Sequence, residues 1–374
     1  MDQTEVGPRT KTPDHRQTSR PREFRPEMLV LAREWRGFTQ SGLANATGVS
    51  QGKISKIENG LLGPEEDLIG TLAEACAVPE GFFGQRGRVY GPPISFFRKR
   101  MTLPKKALAQ TIAELEVRRL HLVRLLQSLD VQFDYQVPEY DVDAFDGDAA
   151  EIARAVRSSW QLPKGPVKHL TSVLESGGAI VVPCALHGKI DAVSQRIPEA
   201  PPLLFMNSSK PMDRLRFSMA HELGHIVMHG RGPTPGMESE ADSFAAEFLM
   251  PAAEMARELP KGRLRLEDLA YLKRVWRVSM AALLYRAKTL GRVTERQYRY
   301  LFMQMGKLGY RSQEPVELEP PVERAELLPG LLRAYRKELG YLEEELAEML
   351  SLKVEDLRAM YPREETNGHL RVIK

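Results

Sequence analysis

His221-Glu222-Leu223-Gly224-His225 is the shortest spacing with which one helix can offer two imidazoles to a single ion. Residues four apart on an α-helix share a face, so His221 and His225 can converge. Glu222 sits about 100° round the helix from His221, near enough to take a proton from a water at that ion. The surroundings support a buried helix. A short apolar strand, Pro202-Pro-Leu-Leu-Phe-Met-Asn207, precedes it, and Ser209-Lys-Pro211 places a proline near the first helical position. Leu215, Met219, Leu223 and Ile226 recur at helical spacing and supply a core face.

Two histidines leave a catalytic zinc short of a ligand, since such sites take three from protein and keep one position open. The next acidic helical stretch runs from Glu238 to Pro251, with Ala241, Phe244, Ala245, Phe248 and Leu249 on one stripe. Glu238 lies one turn before Asp242, so the two carboxylates share a face beside that stripe. Glu238 is therefore expected as third metal ligand and Asp242 as the acceptor that holds a ligand histidine by its other N–H. Glu240 points elsewhere and is the weaker candidate. A solvated acidic helix start is the plain alternative, since carboxylates suit a helix N-terminus.

The run Arg214-Leu-Arg-Phe-Ser-Met-Ala-His-Glu-Leu-Gly-His-Ile-Val-Met-His229, followed by Glu238-Ser-Glu-Ala-Asp-Ser-Phe-Ala-Ala-Glu-Phe-Leu-Met-Pro251, resembles the ImmA/IrrE (M78-like) zinc metallopeptidases over residues 138–309. Proteins of that family cleave or control helix-turn-helix repressors. The resemblance implies His221, His225 and Glu238 as ligands of Zn2+, with Mn2+ as the other candidate, and Glu222 as general base. No residue is assigned to the oxyanion.

The front of the chain carries a second unit. Residues 25–36 form a first amphipathic helix, Thr39 caps a second, Gly48-Val49-Ser50 makes a tight turn, and Ser50 caps a third from Gln51 to about Asn59. Two short helices joined by such a turn are a helix-turn-helix. Leu29, Ala32, Leu43, Ala44, Val49, Ile54 and Ile57 fall inward, and Leu68, Leu72, Ala75 and Val78 add a closing helix. Residues 24–83 resemble the XRE family of repressor-like DNA-binding domains. That geometry implies that the third helix enters the major groove N-terminus first. Gln51, Ser55 and Lys56 would face base edges or the groove wall, with Ser50 at the helix start. Gly52 would permit close approach, and Gln40 and Asn59 would bond phosphates. Lys53 and Lys56, with no acid from Gln51 to Ile57, favour DNA over a bundle kept only for protein contact.

The 374 residues have room for two or three domains, and a net charge of +3 gives no global nucleic-acid signature. Residues 84–104 hold Arg86, Arg88, Arg98, Lys99 and Arg100 among glycines and prolines, with no acid, and read as a basic linker. Residues 1–23 read as a disordered tail with no signal peptide, no apolar run is long enough to span a bilayer, and two distant cysteines suggest a reducing compartment. A cytoplasmic protein without membrane contact is expected.

The fold class expected is multidomain. An all-α helix-turn-helix domain leads into an α+β zincin-like metallopeptidase domain over 105–310, opened by a long helix over 104–129. A strand at 179–182 is expected to pair with 190–194. An acidic, proline-broken linker at 311–325 precedes a helical C-terminal segment over 326–374. In that segment Leu346, Ala347 and Leu350 faintly echo the second helix of the front domain. Glu343, Glu344, Glu345 and Glu348 beside them should repel DNA, so a helical cap or oligomer contact is expected there. The whole reads as a DNA-binding regulator, a homodimer on a double-stranded operator, with a zinc peptidase that cuts or controls a repressor. The alternative keeps DNA binding and makes the metal site a non-catalytic sensor or ligand-binding module.

Overall fold

The structure is a computed structural model, and it describes residues 24–91, 103–230, 232–260, 262–363 and 372–373. The expected tail, residues 1–23, and the centre of the expected basic linker, residues 92–102, lie outside the described residues.

Four helices build the front unit: α1 (Pro26–Trp35), α2 (Gln40–Thr47), α3 (Gln51–Glu58) and α4 (Glu66–Ala75). The Thr39 hydroxyl accepts from the Gly42 N–H at 3.0 Å and starts α2; the Ser50 hydroxyl accepts from the Lys53 N–H at 3.2 Å and starts α3. Gly48 ends α2 at φ 70°, a left-handed conformation that glycine adopts without steric cost. Leu29, Ala32, Leu43, Ala44, Ile54, Ile57, Leu68, Leu72 and Val78 are buried, while Val49 and Ala75 are partly covered.

The long helix α5 (Lys105–Gln127) carries this unit on one flank. Trp35 donates its indole N–H to Glu114 at 2.6 Å, which fastens α1 to α5. Beyond it come α6 (Ala149–Ser159) and α7 (Leu170–Ser176), then the strands β1 (Ile180–Cys184), β2 (Ala192–Ile197) and β3 (Ala200–Asn207). The sheet order is β1-β3-β2, with β3 parallel to β1 and antiparallel to β2. The expected pairing of 179–182 with 190–194 is therefore corrected. Only Pro198 and Glu199 separate β2 from β3, so those two close as a hairpin and put β3 in the middle.

Against the sheet lies α8 (Met212–Met228), which carries the HExxH run, and against α8 lies α9 (Met237–Leu249). Then follow α10 (Ala252–Glu258), α11 (Leu266–Trp276), α12 (Met280–Thr289) and α13 (Glu295–Lys307), and finally α14 (Leu327–Lys337), α15 (Glu343–Leu350) and α16 (Val354–Met360). The result is a helical front region followed by a mixed α+β region with a small sheet. Among the described residues no helix is long and apolar enough to cross a membrane. Cys76 and Cys184 are buried and form no disulfide; burial pushes their thiols up to about 11 and about 12.

Candidate metal centre

The approach of α8 to α9 begins with a missing side chain. A Cβ on Gly224 would meet the Phe244 ring at 3.1 Å and the Ala241 Cα at 3.3 Å, so glycine lets α9 lie directly across the HExxH turn. That crossing sets Glu238, at the start of α9, over His221 and His225.

His221 Nε2 lies 3.0 Å from His225 Nε2, and the Glu238 carboxylate lies 3.5 Å from the latter and 3.9 Å from the former. The three residues form a group that could hold a metal ion, their ligand atoms all within 4.8 Å of one another. His225 is buried, whereas His221 and Glu238 are partly open, which leaves one side of the group accessible.

The protons explain why a cation suits this place. Asp242 lies 2.8 Å from His221 Nδ1, and a carboxylate only accepts, so the proton sits on Nδ1 and the Nε2 lone pair faces inward. Glu240 lies 2.8 Å from His229 Nε2 and fixes the proton there, which makes His229 Nδ1 an acceptor. His229 Nδ1 lies 2.9 Å from His225 Nδ1, so His225 donates to it and turns its own Nε2 lone pair inward. Two carboxylates thus aim two lone pairs at one another, beside a third carboxylate. That arrangement is repulsive unless a proton or a metal ion lies between the two nitrogens, and the donor set of two imidazoles and one carboxylate fits a divalent ion.

The local electrostatics agree. Burial disfavours the charged His221 ring, but the Asp242 hydrogen bond and the nearby carboxylates of Glu222 and Glu238 outweigh it and hold its pKa above the ordinary value. Burial, together with the neighbouring His225 ring, lowers that of His229 in spite of Glu240, consistent with a neutral ring that accepts at Nδ1.

His229 and Glu240 are two members of the site that sequence reasoning missed. His229 was within the quoted run, a further four residues after His225, and the same periodicity that pairs His221 with His225 could have found it. Glu240 does point away from the ligand face, but toward His229. His229→Ala should therefore weaken metal affinity by about 10–100-fold with the fold intact, because His225 loses the partner that orients it. Competition with a chromophoric chelator measures this; an unchanged affinity would remove His229 from the site.

Glu222 is buried against the edge strand. Its Oε2 accepts from the Ser194 N–H at 2.9 Å and from the Ser194 hydroxyl at 2.7 Å, so β2 positions the carboxylate beside the metal group. The neighbouring Gln195 amide donates to Glu116 of α5 at 3.1 Å.

At the front unit, Ser50, Gln51, Gly52, Lys56 and Asn59 are exposed, while Gln40 and Ser55 are partly covered. The Gln51 amide donates to Gln40 at 2.8 Å, and Gln40 donates to Glu58 at 2.7 Å, which ties the start of α2 to both ends of α3. The Asn59 amide donates to the Ser55 carbonyl at 2.7 Å. Gly52 has open space where a Cβ would project.

Residues 29–81 match the family model described as a helix-turn-helix domain, and residues 184–288 match the one described as an IrrE N-terminal-like domain, peptidase M78. The chain joins a helix-turn-helix domain to an M78-type peptidase domain. No curated protein matches this sequence. The M78 match spans the sheet from the end of β1 and contains the whole metal group, Glu222, Ser194, His229 and Glu240. Residues 327–361 lie outside both matches.

Proposed function

We propose that this protein is a DNA-binding transcriptional regulator whose M78 domain is a zinc-dependent peptidase, with Mn2+ as the other candidate metal. The observation that carries the reading is the inward convergence of two imidazole lone pairs and one carboxylate, with a buried glutamate alongside. His221, His225 and Glu238 hold the ion, and Asp242 and His229 orient the two rings. A divalent ion held there supplies Lewis-acid polarisation of a scissile carbonyl and a water. Glu222 takes the proton of the attacking water and delivers it to the leaving amine. Ser194 keeps the Glu222 carboxylate turned toward the metal group.

In the front unit, Gln51, Ser55 and Lys56 read the major groove from the start of α3, next to Ser50, and Gly52 allows close approach. Gln40 and Asn59 bond phosphates. The chain acts as a homodimer on a two-fold operator, and its peptidase substrate is a repressor, either this chain at its basic linker or a separate protein. One polypeptide that holds both an operator reader and a protease site motivates that choice. Purified chain with Zn2+ or Mn2+, alone and with candidate repressors, should yield discrete fragments that a chelator suppresses. Lys56→Glu should abolish a gel shift on DNA upstream of its own gene. Fragments that persist in excess chelator would refute the peptidase reading.

The Ser194 contacts also favour a second reading. A glutamate engaged by two donors suits a metal sensor that shifts operator affinity without cutting. Metal-dependent DNA binding that survives Glu222→Gln, with no fragments from either protein, would establish it.

A further inference from the structure

The last three helices repeat the turn pattern of the first three. In the front unit, α1 is followed by Gly37 at φ 72°, the cap residue Thr39, the eight-residue α2, Gly48 at φ 70°, the cap residue Ser50 and then α3. At the back, α14 is followed by Gly340 at φ 73°, the cap position Leu342, the eight-residue α15, Ser351 at φ 55°, the cap position Lys353 and then α16. Every counterpart lies 303 positions further on: 37 to 340, 39 to 342, 48 to 351 and 50 to 353.

The core follows the same offset. Met28, Leu29, Leu43, Ala44 and Ile54 have Leu331, Leu332, Leu346, Ala347 and Leu357 as counterparts, and all ten are buried. Arg33 of α1 pairs with Glu58 at 2.5 Å, and its counterpart Arg336 pairs at 2.9 Å with a different acid, Glu343, which stands where the front unit has Gln40. A left-handed residue after eight helical residues turns the chain from one helix into the next, so shared turn positions together with shared buried positions mark a shared motif.

The surfaces differ. Where the front unit has Gln40, Gly52, Lys53 and Lys56, the back has Glu343, Glu355, Asp356 and Ala359. Glu343, Glu355 and Asp356 repel phosphates, beside the cations Lys353 and Arg358 that stand where the front unit has Ser50 and Ser55. The back unit instead meets the protein. Asp356, at the start of α16, accepts from both terminal nitrogens of Arg36, one of them at 3.2 Å, and Arg36 also donates to the Cys76 and Ala77 carbonyls of the front unit at 2.9 Å. At the other end of α16 the Tyr361 hydroxyl lies 2.9 Å from His121 Nδ1 of α5, with both side chains buried. At the turn, Arg124 of α5 donates to the Met349 carbonyl at 2.7 Å and to the Ser351 hydroxyl at 2.9 Å.

We propose that residues 327–361 are a second helix-turn-helix unit, whose reading helix binds the DNA-binding unit of the same chain and the long helix beneath it rather than DNA. The partner of this surface is the flank of the front unit at Arg36, recognised by charge through Asp356. The claim that DNA is not its ligand rests on the front unit as the DNA reader.

Two measurements on the full chain test it. Asp356→Arg sets two cations against each other, and amide exchange across residues 343–361, read by mass spectrometry, should rise by about tenfold while that of α8 stays unchanged. Exchange at the wild-type level in 343–361 would overturn the docking. For DNA, the double variant Lys353→Glu/Arg358→Glu should keep the wild-type gel shift that Lys56→Glu abolishes. A loss as large as that of Lys56→Glu would make the back unit a DNA reader and overturn the proposal. The exchange measurement needs no DNA, so failure of the front unit to bind an operator remains distinguishable from failure of the docking.

Discussion

Glu222→Gln is expected to lower peptide hydrolysis by about 10²–10⁴-fold and to leave metal content unchanged. The glutamine is isosteric, and its carbonyl oxygen can accept from the Ser194 N–H and hydroxyl that now hold the carboxylate, at 2.9 and 2.7 Å. What it cannot do is take a proton from water. His221, His225 and Glu238 form the metal group without Glu222, so stoichiometry of the bound ion should match the wild type. Rates from a gel or mass-spectrometric fragment assay, set beside metal analysis of the same sample, separate the two effects. Equal rates for the two proteins would discard the general-base role.

The second large effect concerns stability. Lys273 on α11 is fully buried, and its ammonium contacts Asp213 at 2.5 Å, Glu314 at 2.7 Å and Glu319 at 3.9 Å. Burial alone would pull the lysine pKa down, but the hydrogen bonds to Asp213 and Glu314 outweigh it and raise it. A raised lysine pKa stabilises the fold fully below the unfolded value, and this contribution fades only as pH rises through the folded one. Lys273→Met keeps the bulk and strands the acids, so we expect a loss of about 3–5 kcal/mol near neutral pH. The melting temperature should fall by about 10 °C. The deficit should shrink as pH falls, since burial already holds the Glu319 carboxyl above its ordinary range and its protonation removes one uncompensated charge. A deficit below about 1 kcal/mol at pH 7 would show that water reaches the cluster and that the charges are solvated. Asp213 lies in the first turn of α8, so this cluster anchors the start of the helix that carries His221 and His225.

Both units were legible because their signals are local. The spacing of His221 and His225 is a property of one helix, and the caps Thr39 and Ser50 with Gly48 between them define a turn within a dozen residues. Glu238 could be placed because Asp242, one turn later, shared its face. The relay from Glu240 through His229 was harder, since Glu240 faces away from Glu238 and gains its partner only when α9 crosses α8 at Gly224. Strand pairing was misassigned because it depends on which turn closes, and the short Pro198-Glu199 connection outweighs similarity between apolar runs. The contact of Ser194 with Glu222 could not be read at all, since it joins a strand to a helix 28 positions away.

The fastening of Trp35 to Glu114 has a geometric corollary for chains seated on an operator. On the proposed function, the seating of α1 on α5 would hold the metal group at a set bearing from the duplex, and the spacing of adjacent operator sites would then act as a ruler for the gap between neighbouring metal groups. Inserting about five base pairs, half a helical repeat, would turn one pocket to the opposite side of the DNA from the other.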